Sequence, residues 1–244
     1  MVESGRARET PAQPTSAGPT ALRKAILDFL FPPRCVVCRA RGEWLCPRCR
    51  PQLQLFAPPV CPRCGLPLES AYCPACAGMR LPVAALRTAG FFEGPLREAA
   101  HRLKFSGERY LAEPLGGLLA GAWRQAPLAG DVLVPVPLHP KDEATRGYNQ
   151  ATLLAESAGR QLGLPVSASG LQKVRETAPQ VGLKREERLA NLRGAFAWSG
   201  STCPQRAILV DDVTTTGATL AACAAALRAA GATAVYALVL ARAR

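Results

Sequence analysis

The sequence predicts an α/β domain on a largely parallel sheet, preceded by a small unit held together by metal. Three observations carry this reading. Eight of the ten cysteines fall between positions 35 and 76, as four Cys-x2-Cys pairs. From about residue 83 onward, short apolar runs alternate with stretches of helical periodicity. The last of these, 207–210, 217–230 and 233–240, have the strand–helix–strand spacing of a βαβ unit, which joins parallel strands. A chain of 244 residues that is 48% hydrophobic can bury a real core, which excludes disorder throughout.

Taken in order, residues 1–20 are rich in Pro, Thr, Ser, Gly and Ala and read as a disordered tail. Leu22, Ile26, Phe29 and Leu30 recur at helical spacing, so 21–30 reads as a short amphipathic helix stopped by Phe31-Pro32-Pro33. Residues 34–78 are turn-rich and cannot build a core unaided; a structural metal is the usual remedy. The boundaries expected are therefore 1–20 for the tail, 21–82 for the helix and metal unit, and 83–244 for the α/β domain. That domain begins with a strand over 83–92. A helix follows from Pro95, with Leu96, Ala99, Ala100 and Leu103 on one face, and a second helix covers 109–124. A buried strand at 131–134 is broken by Pro135 and Pro137. A helix over 148–162 and a short strand over 165–169 come next. Residues 172–193 read as a polar loop with helical patches. The strand at 207–210, the helix over 217–230 ended by Gly231, and the strand over 233–240 complete the domain. No run of about 18 uncharged apolar residues exists, so no membrane insertion is expected. No apolar stretch follows the first six residues, so no signal peptide is expected either.

The cysteines are Cys35, Cys38, Cys46, Cys49, Cys61, Cys64, Cys73 and Cys76. Two cysteines two residues apart form a knuckle that presents both sulfurs to one ion, and two knuckles complete a tetrahedral shell. Soft thiolates select Zn²⁺ or iron–sulfur over Mg²⁺ or Ca²⁺, and four tandem pairs point to two structural zinc ribbons. The spacing leaves open whether neighbouring or alternate knuckles pair. The α/β core from about residue 86 is expected to stand without these thiolates. Cys223 reads as a small core residue within a helix, and Cys203 lies in a loop.

The formal charge is +12. Two zinc tetrathiolates would each contribute −4 + 2 = −2 and lower it to about +8. The remaining excess favours anionic partners. Arg34, Arg39, Arg41, Arg48, Arg50 and Arg63 lie among the metal ligands, and fixed arginines suit a polyanion. Aromatic residues make up only 6%, which argues against a binder built mainly on stacking platforms.

Residues 208–219 read Ile-Leu-Val-Asp-Asp-Val-Thr-Thr-Thr-Gly-Ala-Thr. An apolar strand ends in two acids, a hydroxyl-rich turn follows, and a helix begins at Gly217. Backbone N–H groups and threonine hydroxyls at such a helix start can surround a phosphate, with Gly217 letting the backbone approach. Asp211 and Asp212, at the carboxyl end of a parallel strand, can accept hydrogen bonds from vicinal ribose hydroxyls. The competing reading is that the acids and threonines only satisfy the turn.

Residues 210–219 resemble the phosphoribosyl-pyrophosphate (PRPP) motif of type I phosphoribosyltransferases. Phe31-Pro32-Pro33-Arg34-Cys35, Cys61-Pro62-Arg63-Cys64-Gly65, Lys104-Phe105-Ser106-Gly107, the run Val134 to Pro140, Arg146-Gly147-Tyr148-Asn149-Gln150 and Thr177-Ala178-Pro179-Gln180 narrow the resemblance to the ComF family. It spans about residues 22–241. It implies a double zinc ribbon followed by a phosphoribosyltransferase-like α/β domain with a parallel sheet flanked by helices. Asp211 and Asp212 would hold the ribose hydroxyls. Thr214, Thr215, Thr216, Gly217, Ala218 and Thr219 would hold the 5′-phosphate. Lys104, Pro135, Val136, Arg146 and Gln180 would stand on the pyrophosphate side or in a lid. The cofactors implied are two Zn²⁺, and Mg²⁺ with PRPP. The role implied is a cytoplasmic one in natural competence, with single-stranded DNA and a helicase-like protein as partners. The alternative is an active phosphoribosyltransferase with an unidentified acceptor.

Several residues carry a functional reading beside a plainer one. Lys104 is an anion contact or a solvated helix end. Residues 173–193 hold the densest basic set and are read as a lid. Of the two histidines, His101 is expected on a helix surface and His139 nearer the ligand. Trp44, Trp123 and Trp198 are too dispersed to form one platform.

Overall fold

The computed structural model describes residues 32–77, 81–177 and 185–244. The tail over 1–20, the helix over 21–30 and Gln180 lie outside the described residues. The α/β unit runs β1 (Leu86–Phe91), α1 (Gly94–Phe105), α2 (Ala112–Gln125), β2 (Val132–Pro135), α3 (Pro140–Arg146) and α4 (Gln150–Leu162). It continues with β3 (Leu171–Lys173), α5 (Arg185–Leu192), β4 (Phe196–Trp198), β5 (Arg206–Thr214), α6 (Ala218–Ala229) and β6 (Ala234–Arg242). Strands β1, β6, β5 and β2 form one sheet in that order, parallel throughout; β3 and β4 form a separate antiparallel hairpin.

The apolar runs are continuous because both faces of the sheet are covered. Alternate residues go to opposite sides. Ile208, Val210, Leu238 and Leu240 pack with Leu103 of α1, Leu115 and Leu119 of α2, and Leu154 of α4. Ala207, Leu209, Val235 and Val239 pack with Leu220, Cys223 and Leu227 of α6, Leu192 of α5 and Phe196 of β4. Cys223 is therefore a core residue, as expected. Cys203 is buried in the same layer, its thiol 3.5 Å from the Leu227 carbonyl.

Element ends follow local chemistry. Pro95 opens α1 at a position whose N–H would go unused. The Asn149 side chain caps α4 by accepting the Ala151 N–H at 2.9 Å. Gly147 and Gly163 end α3 and α4 in the left-handed conformation. The strand expected over 165–169 reduces to a single parallel bridge, Leu133 to Val166. Pro165 accepts from the Leu133 N–H but has no N–H of its own to extend the ladder. Within 172–193 the structure places the end of β3 and all of α5.

The ribbons pack onto this core. Cys35, Val36, Leu45 and Cys49 of the first ribbon belong to the same buried cluster as Leu111 and Leu115. The second lies along the free edge of β1: Phe56 N–H donates to Ala89 O and Leu86 N–H to Arg63 O, each at 2.8 Å. Gly65 is required there, since a Cβ would stand 2.6 Å from the Leu86 carbonyl.

Candidate functional site

Each ribbon brings four sulfurs within 4.8 Å of one another: Cys35, Cys38, Cys46 and Cys49 in the first, Cys61, Cys64, Cys73 and Cys76 in the second. Neighbouring knuckles therefore pair, which resolves the choice the spacing leaves open. Cys38–Cys46, Cys61–Cys76 and Cys64–Cys73 are each separated by 3.6 Å between sulfurs. A tetrahedral shell with Zn–S of about 2.3 Å needs sulfurs about 3.8 Å apart, so both sets fit structural zinc. The turns around the sulfurs already favour thiolate. Burial works against the Cys35 anion, but backbone N–H groups of Cys38, Cys46 and Val37 outweigh it and hold Cys35 down at about 6. Cys61 is held down to about 7 by the same balance, with Cys64 and Arg63 as the backbone donors. Burial and the neighbouring sulfurs push Cys49 up to about 12, a conflict that a divalent cation relieves.

Two buried arginines of the α/β unit reach these knuckles. Arg102 of α1 donates to the Val36 carbonyl at 2.7 Å and to Glu98 Oε1 at 2.5 Å. Arg87 of β1 donates to the carbonyls of Pro62 and Leu86, each at 2.9 Å, and of Ala126 at 2.6 Å. Burial pulls the Arg87 guanidinium below its ordinary value, while Cys61 and Cys64 pull it back up.

The second site is a cleft of ≈ 570 Å³ at the carboxyl ends of β2 and β5. Asp211 and Asp212 stand near the carboxyl end of β5 and are buried, as is Thr214 at its last position. Lys104, at the end of α1, brings its ammonium to 3.7 Å from Asp212 Oδ2. That oxygen has no hydrogen-bond partner among the described residues. Burial first, and the Asp212 carboxylate second, hold the Asp211 carboxyl well above the usual range, although the Asp212 N–H donates to it at 2.9 Å. The hydroxyl-rich turn follows, and the Thr216 hydroxyl accepts the Ala218 N–H at 3.4 Å. Gly217 stands at φ 76°; a Cβ there would meet nothing nearer than Pro82 Cγ at 3.9 Å. Backbone conformation, rather than crowding by protein atoms, is what asks for glycine.

The double zinc ribbon family matches residues 26–77. Competence protein F of Haemophilus influenzae is 37% identical over 139 residues, which cover 54% of this chain and 61% of that protein, just under two thirds of its length. The DNA utilization protein YhgH of Escherichia coli is 35% identical over 159 residues, covering 63% of this chain and 70% of that protein. The chain belongs to the ComF family. Competence protein ComFC of Streptococcus pneumoniae is a further relative, 31% identical over 51% of this chain and 53% of that protein.

In this ComF-family chain the cleft gathers Asp211, Asp212, Thr214, Thr215, Thr216, Gly217, Ala218, Thr219, Lys104 and Val136 on its walls. Pro135 pairs with Val210 in the sheet and does not line the cleft. Arg146 is one residue removed, bonded to Gln150, which does line it. His101, not His139, faces the cleft, because it shares a face of α1 with Lys104. His139 instead caps α3, its Nδ1 accepting the Lys141 N–H at 3.3 Å. Sequence reasoning missed Phe105 and Gln150 as lining residues, while Lys173, the first residue of the basic segment read as a lid, does line the cleft. The i, i+3 spacing of His101 and Lys104 could have found the first histidine. Among the described residues no helix is long and apolar enough to cross a membrane.

Proposed function

We propose that this ComF-family chain handles incoming single-stranded DNA in the cytoplasm beside a helicase-like partner. In this reading residues 21–82 form the double zinc ribbon and 83–244 a phosphoribosyltransferase-like domain whose cleft binds PRPP, or a related ribose phosphate, with Mg²⁺. The observation that carries the ligand class is the convergence of two buried acids, a hydroxyl-rich turn and two lysines, Lys104 and Lys173, in a single cleft. Asp211 and Asp212 would take the ribose hydroxyls, and the 214–219 turn the 5′-phosphate. Asp212 Oδ2, which faces Lys104 but accepts no hydrogen bond among the described residues, suits a hydroxyl or a hydrated Mg²⁺. Lys104 and Val136 would stand on the pyrophosphate side. Relatives named for competence and DNA utilization support the DNA role. Arg34, Arg41, Arg48 and Arg63 are exposed on the ribbons and suited to phosphates. Arg39 and Arg50 are engaged with Glu108 and Glu43.

PRPP with Mg²⁺ should raise the melting temperature of the protein, and Asp211→Asn with Asp212→Asn should remove that rise while the fold is kept. No shift at millimolar PRPP would end the ligand assignment. Deleting the protein from a competent host should lower transformation, and neutralising the four ribbon arginines should do the same and flatten the salt dependence of DNA binding. A second reading, transfer of phosphoribose to an acceptor, is favoured by the room beyond the turn, where Phe92, His101, Phe105 and Leu138 line the cleft. Pyrophosphate release from PRPP across a panel of nucleobases tests it.

A further inference from the structure

The two ribbons are gripped in the same way. Val36 follows Cys35 and Pro62 follows Cys61, so each guanidinium donates to the carbonyl of the residue after the first knuckle cysteine. Arg102 and Arg87 are 7% and 6% exposed. They come from different elements, α1 and β1, so one local motif does not explain both.

A buried cation needs an anion. Arg87 has three acceptors, all of them neutral carbonyls. Its bond to Pro62 sets it beside Cys61 and Cys64, whose sulfurs carry negative charge as zinc thiolates. Arg102 has Glu98, whose side chain is 46% exposed, and its Nη1 is buried without a hydrogen-bond partner among the described residues. A zinc tetrathiolate carries −4 + 2 = −2, and partly buried in a protein it needs compensation. Arg87 has no carboxylate partner and Arg102 has only a half-exposed one, while each ribbon carries negative charge in excess.

We propose that Arg87 and Arg102 are built-in counter-cations of the two tetrathiolate centres, one apiece, and that they hold zinc by charge as well as by docking the knuckle. The inference does not depend on what the cleft binds. Outer-shell partners of metal ligands commonly change affinity by about 10–100-fold.

The test is zinc release from the purified full chain to a colorimetric chelator, followed to two equivalents. Arg87→Gln keeps an N–H donor but loses the charge; Arg87→Lys keeps the charge. The glutamine variant should release one of the two zincs about 10-fold faster or more, and the lysine variant at close to the parent rate. Arg102→Gln and Arg102→Lys should behave likewise for the other zinc. Leu115→Ala, a cavity in the shared core, is the control for lost stability without lost charge. Equal rates for lysine and glutamine variants would overturn the proposal, as would equally fast release from Leu115→Ala at the same loss of melting temperature. If a glutamine variant does not fold, a lysine variant that loses its zinc as readily as Leu115→Ala overturns it on its own.

Discussion

Asp211 is a carboxyl group whose charged form the fold disfavours. Burial first, and Asp212 second, raise its pKa, so the folded state holds its proton to higher pH than the unfolded chain does. Stability from this group is therefore lost as pH rises from the usual carboxylate range through the folded value. Asp211→Asn, which cannot ionise, should be the more stable protein at neutral pH, with its advantage shrinking as pH falls toward about 4. Paired denaturant titrations at several pH values measure this; an advantage independent of pH would contradict it. Gly217 makes a simpler case. At φ 76° an L side chain is strained, so Gly217→Ala should lose about 1–2 kcal/mol by the same titration at one pH. The acids, the threonines and all eight metal-set cysteines were legible because they are contiguous or regularly spaced. His101, Arg87 and Arg102 were not, because their roles depend on which elements fold beside them.

Helix α1 joins the two halves of the molecule. Arg102 holds the first knuckle and Lys104, two residues on, faces Asp212. The ribbon core is shared with α2, so Leu45, which is 1% exposed, supports both. Leu45→Ala should cost about 2–5 kcal/mol and lower one cooperative transition rather than melt a ribbon alone. Thermal unfolding followed separately by zinc release and by far-UV signal would show two coincident curves; a ribbon melting well before the sheet would contradict this. Elemental analysis should find two zincs per chain. The long strands and helices were legible from periodicity. The three-residue strands β3 and β4 were not, since so short a run shows no alternation. Helix α3 was also missed, because its seven residues include no buried side chain and hence no apolar face.

On the scale of the whole molecule, the order β1-β6-β5-β2 places the acids of β5 in the interior of the sheet, beside β2, where Val136 begins the opposite wall. The βαβ spacing fixed the β5–β6 pairing in advance. The position of β1 beyond β6 was not readable, because the crossover through α1 and α2 can return to either side of a sheet. What lies outside β1 has a practical side. Leu55 and Phe56 pair with its Gly90 and Ala89, and Arg63 with its Leu86, so the second ribbon closes a strand that would otherwise offer open amide and carbonyl groups to any passing chain. The ribbon is thus a guard against self-association. A chain shortened to begin at residue 81 should assemble into large particles by light scattering. Chelating zinc from the intact protein should set off the same assembly, with the second centre's loss as its trigger.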